Sequence, residues 1–235
     1  MLLHWADCIN SAPMKNPLTP EIFKFLKALA ANNSKEWMDD NRAWYTQMRE
    51  QMIAYAEVIQ ATFAEVYPMA FMDPRKYVAR INNNRRFQPD KPPYKTHFAL
   101  MVRHRGKGYS DFYIHLEPGN IMLATGIYHP DREMLAALRE QIATNGHRLA
   151  EITQTEAFVR EWGQLQGDKL KTSPKGYDVE HPYIEFLRHK DLILMKNATQ
   201  SEICADSGLD LARDSFAAAL PFMEFVDEVF EMMRW

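Results

Sequence analysis

The sequence predicts an α+β fold, with an N-terminal helical hairpin packed on a central antiparallel sheet and further helices toward the C-terminus. Apolar residues recur at helical spacing in the first part of the chain, alternate as in strands between about residues 77 and 128, and then return to helical spacing. The 235 residues, 46% of them hydrophobic, are enough for one sizeable core. We therefore expect a single α+β domain over residues 18–235, preceded by a flexible extension over residues 1–17.

Two helical stretches open the predicted domain. Thr19–Glu21 has the order of a cap, a first-turn proline and a first-turn acid, which is typical of a helix start. A longer helical region runs from Ser34 to Pro68. Glu36 is placed to close a capping box with Asn33 at its start. Together the two stretches predict the helical hairpin.

Strand-like segments follow the hairpin. They are Tyr77–Ile81, His97–His104, Tyr109–Leu116 and Ile121–Tyr128. In the third of them Phe112, Ile114 and Leu116 fall on one face, whereas Tyr113 and His115 fall on the other. A Pro-Gly-Asn turn makes the last two segments antiparallel neighbours. This alternation predicts a sheet with one buried face.

The remainder of the chain is predicted to be helical, apart from one edge strand and one polar loop. The helices are expected from Pro130 through Gln141, from about His147, and over Glu156–Gln164, Ile184–Arg188 and Leu209–Met233. Asp191–Lys196 is expected at the sheet edge, and Leu170–His181 in a surface loop. Pro221 should interrupt the last helix, because proline cannot donate the backbone hydrogen bond of a helix interior.

The candidate functional site is Arg80–Thr96, with the sequence RINNNRRFQPDKPPYKT, here called the basic segment. Its prolines exclude a regular helix and disfavour a central strand, so we expect a stiff loop. The expected ligand-binding residues are Arg80, Arg85, Arg86, Phe87, Asp90, Lys91, Tyr94 and Lys95. Arginine binds phosphate or carboxylate through two hydrogen bonds, and lysine adds a point charge. Alternatively, Arg86 and Lys91 pair with acids of the helical hairpin and pin the segment in place.

The net charge and the composition restrict the kinds of binding partner that we expect. The net charge of -3 argues against a protein that coats nucleic acid non-specifically, so nucleic acid is the less favoured partner. No apolar run approaches the length of a membrane span, and the N-terminus does not resemble a signal peptide. Cys8 and Cys204, far apart in the sequence, predict reduced thiols in a cytoplasmic protein.

Four histidines lie on or beside the predicted strands: His97, His104, His115 and His129. Histidines brought together on a sheet can bind a metal or form an acid–base pair. Their spacing matches neither His-x-His nor His-Glu-x-x-His, so we expect no metal site.

Several motifs are similar to those of one family. They are AANNSKEWMDDNRAWY, RRFQPDKPPYKT, YIHLEPG followed by TGIYHP, and PKGYDVEHP. In these motifs the chain resembles the bacterial and fungal family catalogued as domain of unknown function 2461, over about residues 25–230. It departs from the family at Asn83 and Asn84, where Arg-Asp is usual, and at Gln88, where serine is usual. If the acid at position 84 is a general base or metal ligand in relatives, it is lost here. The resemblance implies no activity.

Two functions remain open. The chain is a binding module for an anionic small molecule or a nucleic-acid end, or it is an enzyme acting on a phosphorylated or nucleotide substrate. In the enzyme, the cations would stabilise charge and a histidine or Asp90 would move protons. The sequence has no Gly-rich phosphate loop, no Gly-x-Ser-x-Gly and no convincing nucleophile or metal cluster, which favours binding. Whether the protein uses a cofactor is unknown. The polar loop Lys175–His181 either covers the basic segment or is an ordinary connection.

Overall fold

The computed structural model describes residues 14–69, 71–86, 88–104 and 110–233. Phe87 and Cys8, named above, lie outside the described residues. The described helices are α1 Glu21–Ala31, α2 Lys35–Asp40, α3 Arg42–Ala64, α4 Arg132–Gln154, α5 Glu156–Trp162, α6 Ile184–Leu187, α7 Gln200–Cys204 and α8 Ser207–Met232. The strands are β1 Phe98–Arg103, β2 Asp111–Glu117, β3 Asn120–Ile127 and β4 Leu192–Ala198. The predicted α+β class is confirmed.

The four strands form one antiparallel sheet in the order β1-β2-β3-β4. The turn between β2 and β3 is tight, and Gly119 takes a φ of +80° there, which glycine adopts without steric cost. β4 lies at an edge, as its sequence predicts. Beyond β1, the predicted strand Tyr77–Ile81 is reduced to one bridge between Val78 and Leu100. A short 3-10 turn at Pro74–Lys76 precedes it and the proline-rich basic segment follows, so pairing cannot extend.

The inner face of the sheet packs on the helices. Phe25 of α1 stacks on Phe98, with the ring centroids 6.1 Å apart. Phe63 of α3 and Phe216 of α8 meet Phe112 edge-on, at 5.1 and 5.8 Å. Aromatic rings add edge-to-face attraction to their large buried area. These contacts show that the helices before and after the sheet share one core on one face.

The outer face carries the alternate side chains. Met101, Tyr113 and Met122 are half-buried, and Met195 on β4 is 38% exposed. His115 lies between Ala99 of β1 and Met122 of β3 in the register. Among the described residues, every aromatic contact between a helix and a strand uses an inner-face phenylalanine. Tyr113 and His115 therefore lie on the face opposite the helices, as the alternation predicts.

Of the two long helices after β3, one agrees with the prediction and one differs from it. α4 consists of two helical parts that meet at a kink at the non-helical Asn145, so the two helices expected through Gln141 and from about His147 are confirmed. A side chain at the next position, Gly146, would come within 2.4 Å of the ring of Tyr183, so this part of the helix touches its neighbour directly. α8 continues through Pro221, which was expected to interrupt it. The helix is buried on both sides of the proline, and that packing outweighs one missing hydrogen bond.

The chain is anchored earlier than expected. Asn16 lies inside the predicted extension, yet it is only 5% exposed. Its side-chain amide donates to the carbonyls of Ile203 and Ala205, at 2.9 and 2.7 Å, and its backbone N–H donates to Asp206 at 3.0 Å. We therefore propose that the domain begins before Asn16. No helix in the described ranges is both long and apolar enough to cross a membrane.

Candidate functional site

The basic segment is an irregular loop that is closed at its base. The backbone N–H of Lys95 donates to the carbonyl of Ile81 at 2.7 Å, and that of Asn83 donates to the carbonyl of Pro93 at 2.9 Å. These bonds bring the two ends of the segment together beside β1. The loop expected from the prolines is therefore held at its base by backbone contacts, and the middle of the segment projects from that base.

Asn33 fixes the same base from the helical hairpin. Its side-chain amide donates to the carbonyl of Tyr94 at 2.9 Å, and its side-chain oxygen accepts from the Tyr94 N–H at 3.1 Å. The capping box expected with Asn33 is wrong, because the cap of α2 is Ser34, which accepts from the N–H of Trp37. Because Ser34 caps α2, the side chain of Asn33 is available to hydrogen-bond to the basic segment, 61 residues away in the sequence.

Four cations of the basic segment make no ion pair with any described residue. Arg80, Arg85 and Lys91 are exposed and Lys95 is half-buried, and no carboxylate in the described part of the chain lies within 4.0 Å of their charged groups. The Arg85 guanidinium donates to the carbonyl of Pro89, at 3.0 Å from Nε. The Lys95 ammonium donates to the carbonyl of Arg80 at 2.9 Å. These bonds to neutral carbonyls position the side chains and leave their charge uncompensated.

The other predicted ligand-binding residues take different positions. Arg86 and Asp90 are exposed, and the backbone N–H of Arg86 donates to the side chain of Asn84 at 3.1 Å. Tyr94 is only 7% exposed and packs in the hydrophobic core, so its ring holds the segment to the protein.

A chain of hydrogen bonds on β2 was missed by the sequence analysis as a unit. The Tyr113 hydroxyl lies 3.0 Å from His115 Nδ1, and His115 Nε2 lies 3.3 Å from the Glu117 carboxylate. A carboxylate only accepts hydrogen bonds, so Nε2 carries the proton and Nδ1 accepts from Tyr113. The signal available in the sequence was the polar side chain at every second position of one strand.

The chain of hydrogen bonds is joined to the end of the basic segment. The Thr96 hydroxyl donates to Glu117 at 2.7 Å, and Asn120 donates to the same carboxylate at 3.0 Å. Burial opposes the charged form of Glu117, but the hydrogen bonds from Thr96, Asn120 and His115 outweigh it and hold the pKa of Glu117 below its ordinary value. Glu117 is thus a charged acceptor shared by strand and segment.

His97 completes this group, which we call the His115 cluster: His97, Tyr113, His115 and Glu117. The rings of His97 and His115 lie 4.3 Å apart. Burial, followed by the nearby His115, lowers the pKa of His97 to about 4, so His97 is neutral near pH 7. Burial also raises the pKa of Tyr113, which therefore keeps its proton. In the described ranges, no three histidine, cysteine or acidic side chains are grouped so as to hold a metal ion.

The two other histidines lie elsewhere. His104 Nε2 is 3.0 Å from the Asp227 carboxylate of α8, with both side chains fully buried, but the contact lacks the alignment of a good hydrogen bond. The same carboxylate accepts from the N–H of Ser110 at 2.7 Å. The backbone N–H of His129 donates to Asp191 at 2.7 Å. Of the four histidines noted in the sequence, the structure brings together only the pair on the outer face.

The polar loop Lys175–His181 makes contact with α4. Tyr177 and His181 meet edge-on with their ring centroids 6.3 Å apart. Burial raises the pKa of Tyr177, and the nearby Arg139 of α4 opposes that shift. These contacts favour an ordinary connection over a cover of the basic segment.

Comparison with known proteins gives one match. A family model described as "Conserved hypothetical protein (DUF2461)" matches residues 21–225. No curated protein and no solved structure matches the chain. The matched range contains the basic segment and the His115 cluster.

Proposed function

Because the chain belongs to this family of conserved hypothetical proteins, whose description names no activity, we propose a function from the geometry of the site. The protein binds an anionic small molecule, bearing a phosphate or a carboxylate, through the basic segment. We also propose a cytoplasmic location, which rests on the cysteine content and on the half-buried free thiol of Cys204.

The observation that carries the proposal is the uncompensated charge. Arg80, Arg85, Lys91 and Lys95 share one short loop and have no carboxylate partner within 4.0 Å in the described part of the chain. Like charges held together repel one another, and a bound anion relieves that repulsion. The alternative, in which Lys91 is paired with an acid of the helical hairpin, has no support in the contacts of Lys91.

The base of the segment adds a second argument. Asn33 and Tyr94 tie it to the helical hairpin, and the hydrogen bond between Lys95 and Ile81 closes it. A site whose backbone is ordered before binding loses less conformational entropy when the ligand arrives. The proposed site is therefore a set of exposed cations on a base that is already in place.

Thermal melts at matched ionic strength test the proposal. Phosphate should raise the melting temperature of the wild-type protein, because it binds the folded state preferentially. At a concentration about 100-fold above the dissociation constant the gain is about 2.7 kcal/mol, or several degrees for a chain of this size. The double variant Arg80→Gln/Lys91→Gln should lose that gain and be no less stable without phosphate.

A matched control has the same change of charge away from the segment. Lys171→Gln/Lys175→Gln removes two exposed cations and should keep the response to phosphate. A wild-type protein that does not respond to phosphate, together with an Arg80→Gln/Lys91→Gln variant that is destabilised, would show that the cations have a structural role instead.

One observation favours the second candidate, an enzyme acting on a phosphorylated or nucleotide substrate. The hydrogen-bond chain of Tyr113, His115 and Glu117 begins where the basic segment ends. Binding alone does not require groups that can exchange protons next to the cations.

A further inference from the structure

We propose that Tyr113, His115 and Glu117 form an acid–base site that exchanges a proton with a phosphate-bearing substrate held by the basic segment. The inference rests on the proposed function, because the same cations hold the substrate. It adds the residues that act on it, their order and the direction of proton movement.

The hydrogen bonds set the order of the three groups. Glu117 is held as a carboxylate by Thr96 and Asn120, so it accepts the proton on His115 Nε2. His115 Nδ1 is then the acceptor of the Tyr113 hydroxyl at 3.0 Å. A carboxylate behind an imidazole fixes its tautomer and stabilises the imidazolium that forms when the imidazole takes a proton.

Exposure decides which group meets the substrate. His115 is only 6% exposed, whereas Tyr113 is half-buried and reaches the surface of the outer face. The neighbour of Tyr113 on β3 is Ala124, which leaves space beside the phenol ring. The substrate therefore contacts the Tyr113 oxygen, and His115 acts behind it.

The proton path is balanced in a phosphate monoester hydrolysis. A water molecule gives a proton to the Tyr113 oxygen while the Tyr113 proton moves to His115 Nδ1, and the water oxygen bonds to phosphorus. The ester P–O bond breaks, and the leaving oxygen takes the proton back from His115 through Tyr113. No free phenolate is formed at any point, which is consistent with the raised pKa of Tyr113.

The cations lie next to the relay. Lys95 precedes Thr96, whose hydroxyl is 2.7 Å from Glu117. The charge of Lys95 also contributes to the lowered pKa of His97, whose ring lies 4.3 Å from that of His115. Because His97 stays neutral, it adds no second positive charge beside His115. A phosphate bound at Lys95 thus lies near the Glu117 end of the relay, and the substrate extends from there along the outer face to Tyr113.

A structural role predicts a different behaviour. The same hydrogen bonds would hold Thr96 and the base of the basic segment, and the protonation of His115 would then be independent of bound anions. If a phosphate-like anion instead binds beside the relay, it attracts the imidazolium, and anion affinity depends on the charge of His115. Proton linkage therefore distinguishes the two roles.

Sulfate is the probe, because it remains a dianion between about pH 5.5 and pH 8. Isothermal titration should show that wild-type protein binds sulfate roughly tenfold more tightly at the lower pH, as expected for one added charge near the anion. The groups that face His115 are Tyr113 and Glu117 on β2, and His97 and Lys95 before β1. The pKa values of His97, Glu117 and Tyr113 are shifted as described, so these groups keep their charge over this range.

His115→Gln should lose the pH dependence of sulfate binding. The control His147→Gln removes an exposed histidine of α4 and should keep the pH dependence. Imidazole ¹⁵N spectra of the wild-type protein provide a second measurement, which does not depend on the fold of a variant. They should place the neutral-state proton of His115 on Nε2, and Tyr113→Phe should shift the Nδ1 resonance.

The outcomes separate the two proposals. Sulfate binding without pH dependence, or a His115 proton on Nδ1, would overturn the acid–base site and leave the anion site standing. Absence of sulfate binding at every pH would overturn the anion site, and the acid–base site with it. Tighter binding at low pH that disappears only in His115→Gln would support both.

Discussion

His97 lies against His115 on the outer face of the sheet, and the burial of His97 there has a consequence for stability. Burial lowers the pKa of His97 to about 4, compared with about 6.5 in an unfolded chain. Between these values the unfolded chain binds a proton that the folded protein does not. The free energy of unfolding should therefore fall as the pH decreases from about 6.5 to about 4. Because His97 is half-exposed, solvent screening reduces the loss to about 1–2 kcal/mol.

Urea unfolding at several pH values measures this slope, and His97→Gln should remove its share of it. The exposed His147 provides the comparison, since His147→Gln should leave the slope unchanged. An unchanged slope in His97→Gln would mean that His97 is protonated as easily in the folded protein as in the unfolded chain.

Asn33 illustrates how one amide joins two distant motifs. Asn33→Ala removes two hydrogen bonds to the backbone of Tyr94 and leaves that backbone without partners. We expect a loss of about 1–3 kcal/mol, measured by chemical denaturation. Asn32→Ala is the matched control, because Asn32 is exposed and its amide bonds only to Ala28 of its own helix. Equal losses in the two variants would contradict a special role for Asn33.

At the scale of elements, Asp227 joins α8 to the end of β1. Its carboxylate contacts His104 at 3.0 Å and accepts from Ser110 at 2.7 Å, and it is fully buried. Asp227→Ala removes the acceptor of the buried Ser110 N–H and the contact of His104, so the free energy of unfolding should fall by about 1–3 kcal/mol. Glu224→Ala removes an exposed acid from the same helix and should change stability by less than about 0.5 kcal/mol. If Asp227→Ala leaves the free energy of unfolding unchanged, His104 needs no acceptor.

The elements were predictable where the pattern of apolar residues was clear. All four strands were predicted from short apolar or alternating segments, and the faces of Phe112 and Tyr113 follow from the alternation in β2. The errors arose where tertiary contacts override a local rule. Pro221 does not end α8, because the helix is buried on both sides of the proline. Asn33 does not cap α2, because Ser34 is one residue closer to the helix.

The candidate site was predictable only in part, for a related reason. The basic segment is evident from composition, since its cations and prolines are contiguous in the sequence. The relay of Tyr113, His115 and Glu117 depends on side-chain direction and on the contact with Thr96, which spacing alone does not reveal. The sequence thus shows which charged and polar side chains are present, whereas the residues that they contact are known only from the fold.

At the scale of the whole molecule, Asn16 ties the beginning of the domain to its last helices. Its hydrogen bonds span up to 190 residues and reach Ile203, Ala205 and Asp206. Asn16→Ala should therefore lower the free energy of unfolding by about 1–3 kcal/mol, because the buried carbonyls lose their donor. Thermal melting measures the loss, and the exposed Lys15→Ala is the control. If Asn16→Ala melts at the same temperature as the wild type, the domain begins at residue 18, as the sequence predicts.

The order of the strands has a consequence for how the protein folds. β1, β2 and β3 follow one another directly along the chain, whereas β4 joins β3 only after α4, α5 and α6. Contacts that are close in sequence form faster, because closing a short loop restricts fewer conformations. The meander should therefore form first, and β3 remains an open edge until β4 arrives. During this interval the unpaired amides of β3 are available to a second chain, so refolding yield should decrease as protein concentration rises.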